Sequence, residues 1–227
     1  MVDLKRFNVV VTRAEILDET TIKAVHNYGS CLWIEPRPAL FLEFSGSPAA
    51  VAADLKSGLD LCAERGALMI KSASEEAQRN ELWKARHSAY YAAMHLRPGC
   101  TGWPTDVCVP LSALAQVIME TTQDLNEFGI VAPIFGHAGD GNFHVILLHH
   151  PDDGDKGLAK LEHFNARLVE RALKAGGTCT GEHGVGFGKA GWLEKELGVE
   201  GVNVLKRIKL AMDPFKMLNP GKVVDLW

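Results

Sequence analysis

Gly136-His137-Ala138-Gly139-Asp140-Gly141-Asn142-Phe143-His144 lies where an apolar strand over 130–136 meets a second one over 142–149. Asp-Gly between two such strands signals a two-residue hairpin turn. With Asp140-Gly141 in that turn, Gly139 faces Asn142, Ala138 faces Phe143 and His137 faces His144. Both imidazoles then share one sheet face, with Cβ atoms about 4.5–5.5 Å apart, within reach of one metal ion. Two other readings compete. A Gly-rich nucleotide loop lacks its Walker pattern and a complete G-x-G-x-x-G here, and a solvent-facing hairpin would carry the histidines incidentally.

Outward from the hairpin, a strand over 106–109 and an amphipathic helix over 112–128 precede it. A helix over 156–174, stopped by Gly176-Gly177, and a short strand over 178–180 follow. That order is βαββαβ, the split pattern of ferredoxin-like folds, with an antiparallel sheet and helices on one face. Upstream the alternation repeats more loosely, with strands at 14–17, 39–44 and 67–70 and helices at 18–28, 48–65 and 74–96. Asp18 supplies a cap, Pro48 stands near a first helical position, and Pro98-Gly99 stops the third helix. The expectation is therefore an α+β fold over 1–227. Two ferredoxin-like βαββαβ-type repeats, at about 12–100 and 101–189, form antiparallel sheet covered by helices, followed by a helical tail over 190–227. In that tail Asp213-Pro214 ends the helix, and Leu218-Asn219-Pro220-Gly221-Lys222 is turn chemistry.

Composition narrows the function. The chain has 227 residues, 47% hydrophobic and 23% charged, the balance of a globular protein with a proper core. Lys plus Arg number 24 against 28 Asp plus Glu, a net charge of −4 that argues against a nucleic-acid binder working through a basic surface. Aromatics at 7% argue against a base-stacking platform. No apolar run approaches the roughly 18 residues of a membrane span, and Met1 to Arg6 lacks the apolar region of a signal peptide. Location in a bacterial cytoplasm or a mitochondrion is expected. Cys31, Cys62, Cys100, Cys108 and Cys179 are odd in number with no C-x-x-C pair, which fits a reducing compartment and thiols acting as small core residues.

Two further stretches carry chemistry. In Thr180-Gly181-Glu182-His183-Gly184-Val185-Gly186-Phe187-Gly188, an extended strand would send Glu182 and His183 to opposite faces, but the four glycines let the backbone turn both toward one site. Glu182 would complete a two-histidine, one-carboxylate metal set, leaving His183 beside it as acid or base. The alternative is a flexible loop with solvated charges. On the 74–96 helix, Trp83, Arg86 and Tyr90 share one face, and an Arg flanked by aromatics grips a carboxylate bidentately. An ordinary surface Arg stacked on a ring is the competing reading.

Taken together, GHAGDGNFH, GTCTGEHGVGFGK and the closing LNPGKVVD resemble the C-terminal half of FAD-linked D-2-hydroxy-acid dehydrogenases of the vanillyl-alcohol-oxidase superfamily. ELWKARHSAYYAAMHLRPGC, TDVCVP and PDD are most similar to its mitochondrial-type D-lactate dehydrogenase (cytochrome) branch. The resemblance implies D-lactate or a similar 2-hydroxy acid as substrate, FAD as hydride acceptor, and a cytochrome or other electron acceptor. It implies that His137, His144 and Glu182 bind zinc or manganese, that His183 takes the hydroxyl proton, and that Arg86 holds the substrate carboxylate. Asn219 and Asn142 would lie toward the flavin. D-2-hydroxyglutarate dehydrogenases carry a lysine where Pro104 stands and a threonine where Tyr90 stands, so a substrate without a second carboxylate is favoured.

Family enzymes carry a flavin-binding domain before this half, and no stretch here matches one. The expectation is a substrate- and metal-binding half that works with a flavin domain in trans or in the parent protein. An exposed apolar face, and a homodimer through it, would follow. A module that holds metal and hydroxy acid without turnover is the alternative.

Overall fold

The computed structural model describes residues 1–29 and 34–226. Cys31 lies outside the described residues. The elements run α1 (Val2–Arg6), β1 (Arg13–Leu17), α2 (Glu19–Asn27), β2 (Ala39–Glu43), α3 (Pro48–Glu64), α4 (Glu76–His95), β3 (Thr101–Pro104), β4 (Val107–Cys108), α5 (Leu111–Phe128), β5 (Ile134–His137), β6 (Asn142–His149), α6 (Gly154–Lys174) and α7 (Leu193–Met212). The fold is α+β with an antiparallel sheet covered by helices, as expected.

The sheet is built on the β5–β6 hairpin. Its order is β2-β1-β5-β6-β3, with β4 also paired to β6. One register carries through both edge pieces, from Thr101↔His149 to Cys108↔Asn142, so β3 and β4 are a single strand interrupted at Thr105-Asp106. Thr178 bridges to Cys108 on the other side of β4. The second half thus has the order 178, β4, β6, β5, the arrangement of a split βαβ unit.

Residues 67–70, expected as a strand, join no ladder, and Leu68 is 78% exposed. Four apolar residues read as a strand only where a neighbour completes their hydrogen bonds, and none does here. The strand that enters the sheet instead is β3, at the start of the second half, whose Gly102 and Pro104 look like strand breakers in sequence. Pro104 is tolerated because β3 has β6 on one side only, leaving its missing N–H without a ladder to break.

Helices cover both faces of the sheet, not one. Phe143, Val145 and Leu147 pack with Leu114, Val117, Phe164 and Leu168 of α5 and α6. Ile146 and Leu148, on the opposite face, pack with Ile22 and Val25 of α2 and Ala85, Ala89 and Ala92 of α4. Alternate residues of β6 therefore feed two cores, which is why its sequence is continuously apolar. Asp18 caps α2, accepting from the Thr21 amide at 2.7 Å, and also accepts from the Ile134 amide at 3.0 Å, fixing α2 to β5. Among the other thiols only Cys179 is fully buried, and burial beside Glu196 pushes it up to about 12.

Candidate metal and active site

The hairpin register differs from the expected one by two residues. His137 faces Asn142, Gly136 faces Phe143, and Phe135 faces His144. Residues 138–141 form a wider turn, in which the Asp140 and Gly141 amides both donate to the His137 carbonyl at 3.0 and 3.1 Å. Gly141 takes φ +86°, and a Cβ there would sit 2.0 Å from the Val109 carbonyl oxygen. The strand extending toward Cys108 and Val109 thus shapes the turn, a tertiary demand that the Asp-Gly signal does not carry. Because side chains alternate with period two, an even slip leaves both histidines on one face. They are diagonal neighbours with ring centroids 6.0 Å apart.

Each imidazole has its Nδ1 occupied. His144 Nδ1 is 2.9 Å from the Thr105 carbonyl oxygen, which only accepts, so that nitrogen carries the proton. His137 Nδ1 is 2.7 Å from Glu15 Oε1 on the adjoining strand β1. Both Nε2 atoms are left to face Glu182 Oε1, at 3.0 Å from His144 and 3.4 Å from His137. Burial pushes the His144 pKa down, while the hydrogen bond to Glu15 raises that of His137.

The loop bearing Glu182 is held by Asp106. This buried carboxylate accepts from the amides of Gly181 at 2.8 Å, Glu182 at 3.1 Å and His183 at 3.1 Å. It also accepts from Thr180 Oγ1, Asn142 Nδ2 and Lys189 Nζ, at 2.7, 2.8 and 2.8 Å. Burial works to raise its pKa, but Lys189, Thr180 and the other donors overcome that and hold it far below the carboxylate range. The loop closes so tightly that a Cβ on Gly181 would lie 1.8 Å from Asn142 Nδ2.

Among the described residues, two groups bring three possible ligand atoms within 4.8 Å of one another: His137, His144 and Glu182, and Asp106, His144 and His183. The second is spent, since both Asp106 oxygens already accept several donors. In the first, the contacts of 3.0 and 3.4 Å compare with about 3.4 Å between ligand atoms around a tetrahedral ion with bonds near 2.1 Å. That donor set fits a divalent cation. His183 stands beside it, its ring stacked on His144 at 4.9 Å and 8°, its Nε2 3.8 Å from Glu182 Oε1.

Arg86 reaches the same face from α4. Its Nε donates to Glu15 Oε2 at 2.8 Å, and its guanidinium lies over Phe135 at 5.0 Å. The ring beneath it comes from β5, while Trp83 takes Arg13 on its face at 4.5 Å. Asn142 is buried, its amide donating to Asp106 and to the Val107 carbonyl at 2.9 Å. Its Oδ1 has no hydrogen-bond partner among the described residues. Asn219 is exposed in the tail at φ 47°. The Val223 amide donates to the Gly186 carbonyl at 2.8 Å, tying that tail to the loop after His183.

Sequence reasoning missed Glu15 and Asp106 as site residues. The available signal was a carboxylate within each short apolar strand, Ala14-Glu15-Ile16-Leu17 and Asp106-Val107-Cys108-Val109, where burial demands partners.

A family model described as "FAD linked oxidases, C-terminal domain" matches residues 1–223. The chain is 43% identical over 225 residues to a "Probable D-lactate dehydrogenase, mitochondrial" of Danio rerio, covering 99% of this chain and 45% of that protein. It is 38% identical to "D-lactate dehydrogenase [cytochrome], mitochondrial" of Arabidopsis thaliana, covering 95% and 38%. With the "Glycolate oxidase subunit GlcD" of Bacillus subtilis the identity is 32%, covering 97% and 47%. The chain thus spans less than half the length of these relatives. Among solved structures, a 4-ethylphenol oxidase from Gulosibacter chungangensis superimposes with a TM-score of 0.63 at 16% identity, covering 93% of this chain and 47% of that one. A p-cresol methylhydroxylase superimposes at 0.62 and 14%, covering 94% and 47%, so the fold is shared at low identity. No described helix is long and apolar enough to cross a membrane. By the match over nearly its whole length, the chain belongs to the family of FAD-linked oxidase C-terminal domains.

Proposed function

We propose that this chain is the substrate- and metal-binding half of an FAD-linked dehydrogenase acting on D-lactate or a similar small D-2-hydroxy acid. The observation that carries this reading is the convergence of His137 Nε2, His144 Nε2 and Glu182 Oε1, with Arg86 tied to the same site through Glu15. His137, His144 and Glu182 would hold the divalent cation, zinc or manganese. Arg86 keeps its Nε–H on Glu15 and offers its terminal NH2 groups as the parallel donors that a carboxylate accepts. When bound, the cation would make the substrate hydroxyl more acidic, and FAD, held mainly by a domain outside this chain, would serve as the hydride acceptor.

His183 receives the hydroxyl proton at Nε2. Its backbone amide is pinned to Asp106 and its ring to the face of His144, so the base is held beside the ligands. Pro104 and Tyr90 supply no cation for a second carboxylate, which favours lactate over hydroxyglutarate. Asn142 and Asn219 would contribute to holding the flavin, with a cytochrome or another molecule as the final electron acceptor.

The test is His183→Asn in the complete flavin-loaded enzyme. Turnover with D-lactate, followed by dye reduction, should fall by about 10²–10⁴ while metal content and fold stay intact. Loss of metal together with activity would make His183 a ligand instead, and full turnover would remove it from the chemistry. Metal and hydroxy-acid binding without any dye reduction by the unmodified enzyme would favour the non-catalytic module.

A further inference from the structure

Glu15 is a buried carboxylate in the middle of a strand, at 5% exposure, and it stands directly opposite His137 in the β1–β5 register. Each of its oxygens has its own donor: Oε1 accepts from His137 Nδ1 at 2.7 Å, and Oε2 from Arg86 Nε at 2.8 Å. We propose that Glu15 is a positioning residue that sets both the tautomer of His137 and the direction of Arg86, so that the metal ligand and the substrate-carboxylate arm share one anchor. This inference rests on the function proposed above.

Three physical points support it. A carboxylate on Nδ1–H keeps the proton there and leaves the Nε2 lone pair toward Glu182, and it makes that nitrogen a stronger donor to a metal. His144 Nδ1 instead hydrogen-bonds the neutral Thr105 carbonyl at 2.9 Å, with the nearest carboxylate to that nitrogen, Asp106, no closer than 3.9 Å, so the two histidines are not equivalent ligands. Arg86, a long side chain with many rotamers, is fixed at Nε by Glu15 and on one face by Phe135, 5.0 Å away. Its orientation is thereby referred to the same strand position as His137.

Two donors on two oxygens also explain why the residue is an acid. A glutamine has one accepting oxygen, and its NH2 would confront either His137 Nδ1–H or Arg86 Nε–H donor to donor. An aspartate keeps the charge but is one methylene shorter, too short to span both partners from the same backbone position. A role in stability alone needs only the charge, so the two substitutions separate the cases.

The experiment uses the complete flavin-loaded enzyme, with Zn2+ affinity read by chelator competition and D-lactate kinetics read by dye reduction. Glu15→Gln should weaken Zn2+ binding about 10–100-fold and raise KM several-fold with a smaller change in kcat. Glu15→Asp should restore neither. Zn2+ affinity and KM both within twofold of the unmodified enzyme in Glu15→Gln, or their recovery in Glu15→Asp, would overturn the proposal. Histidine-selective 15N spectra of the unmodified, metal-free enzyme decide independently of any variant: His137 should be in the Nδ1–H form, and an Nε2–H form refutes it. Absence of Zn2+ binding by the unmodified enzyme would refute the metal reading, while tautomer and KM would still decide the role of Glu15.

Discussion

Arg86 is the side chain through which substrate choice is proposed to act. In the flavin-loaded enzyme, Arg86→Ala should lose at least about 2 kcal/mol of transition-state binding to D-lactate, the scale of a buried charge-assisted hydrogen bond. Steady-state kcat/KM measures it, and an unchanged value would move the carboxylate elsewhere. D-2-hydroxyglutarate should be a poorer substrate than D-lactate in the same assay. At this scale the ligand-type residues are legible in sequence because their chemistry is in their side chains. His137 and His144 remain on one face despite the two-residue register difference, since parity decides the face and the exact pairing does not. Glu15 and Asp106 are not legible, because a carboxylate in a short strand reads the same whether it faces water or a buried arginine, lysine or imidazole. Their roles exist only once β1, α4 and the 180–183 loop have come together.

Between α5 and α6 the decisive contact is ionic. Asp124 accepts from Arg167 Nη2 at 2.7 Å and Arg171 Nη2 at 2.6 Å, with its side chain 2% exposed. Burial works to raise its pKa, and the two arginines overcome that and hold it below the ordinary 3.8. The folded value being the lower one, the stabilisation is complete above 3.8 and is lost as pH falls below it toward the folded value. Asp124→Asn should cost roughly 3 kcal/mol at pH 7, the low end for breaking a buried pair because Arg167 retains water. Urea unfolding at pH 7 and at pH 3 should show the gap between variant and unmodified protein shrinking in acid; a constant gap would contradict the assignment. Helices were the readily legible elements, as the Asp18 and Ser47-Pro48 starts show. Strands were harder. The apolar 67–70 segment stays outside the sheet, while the Gly- and Pro-bearing Thr101–Pro104 enters it, because β6 offers a free edge there. Strand identity belongs to the partner as much as to the segment.

For the molecule as a whole, helices on both faces leave the rim of the β1–β5–β6 sheet, where Glu15, His137 and His144 meet the 180–183 loop, as the place where chemistry-bearing side chains converge. Large apolar side chains are exposed along α7 and the tail, with Met212 at 78%, Phe215 at 84% and Met217 at 75%. The central claim is that His137, His144 and Glu182 form a metal centre, and elemental analysis of protein purified without chelator tests it most directly. The account predicts about one divalent ion per chain in the unmodified protein and loss of most of it in His137→Ala and in His144→Ala. Full metal content in both variants would contradict it.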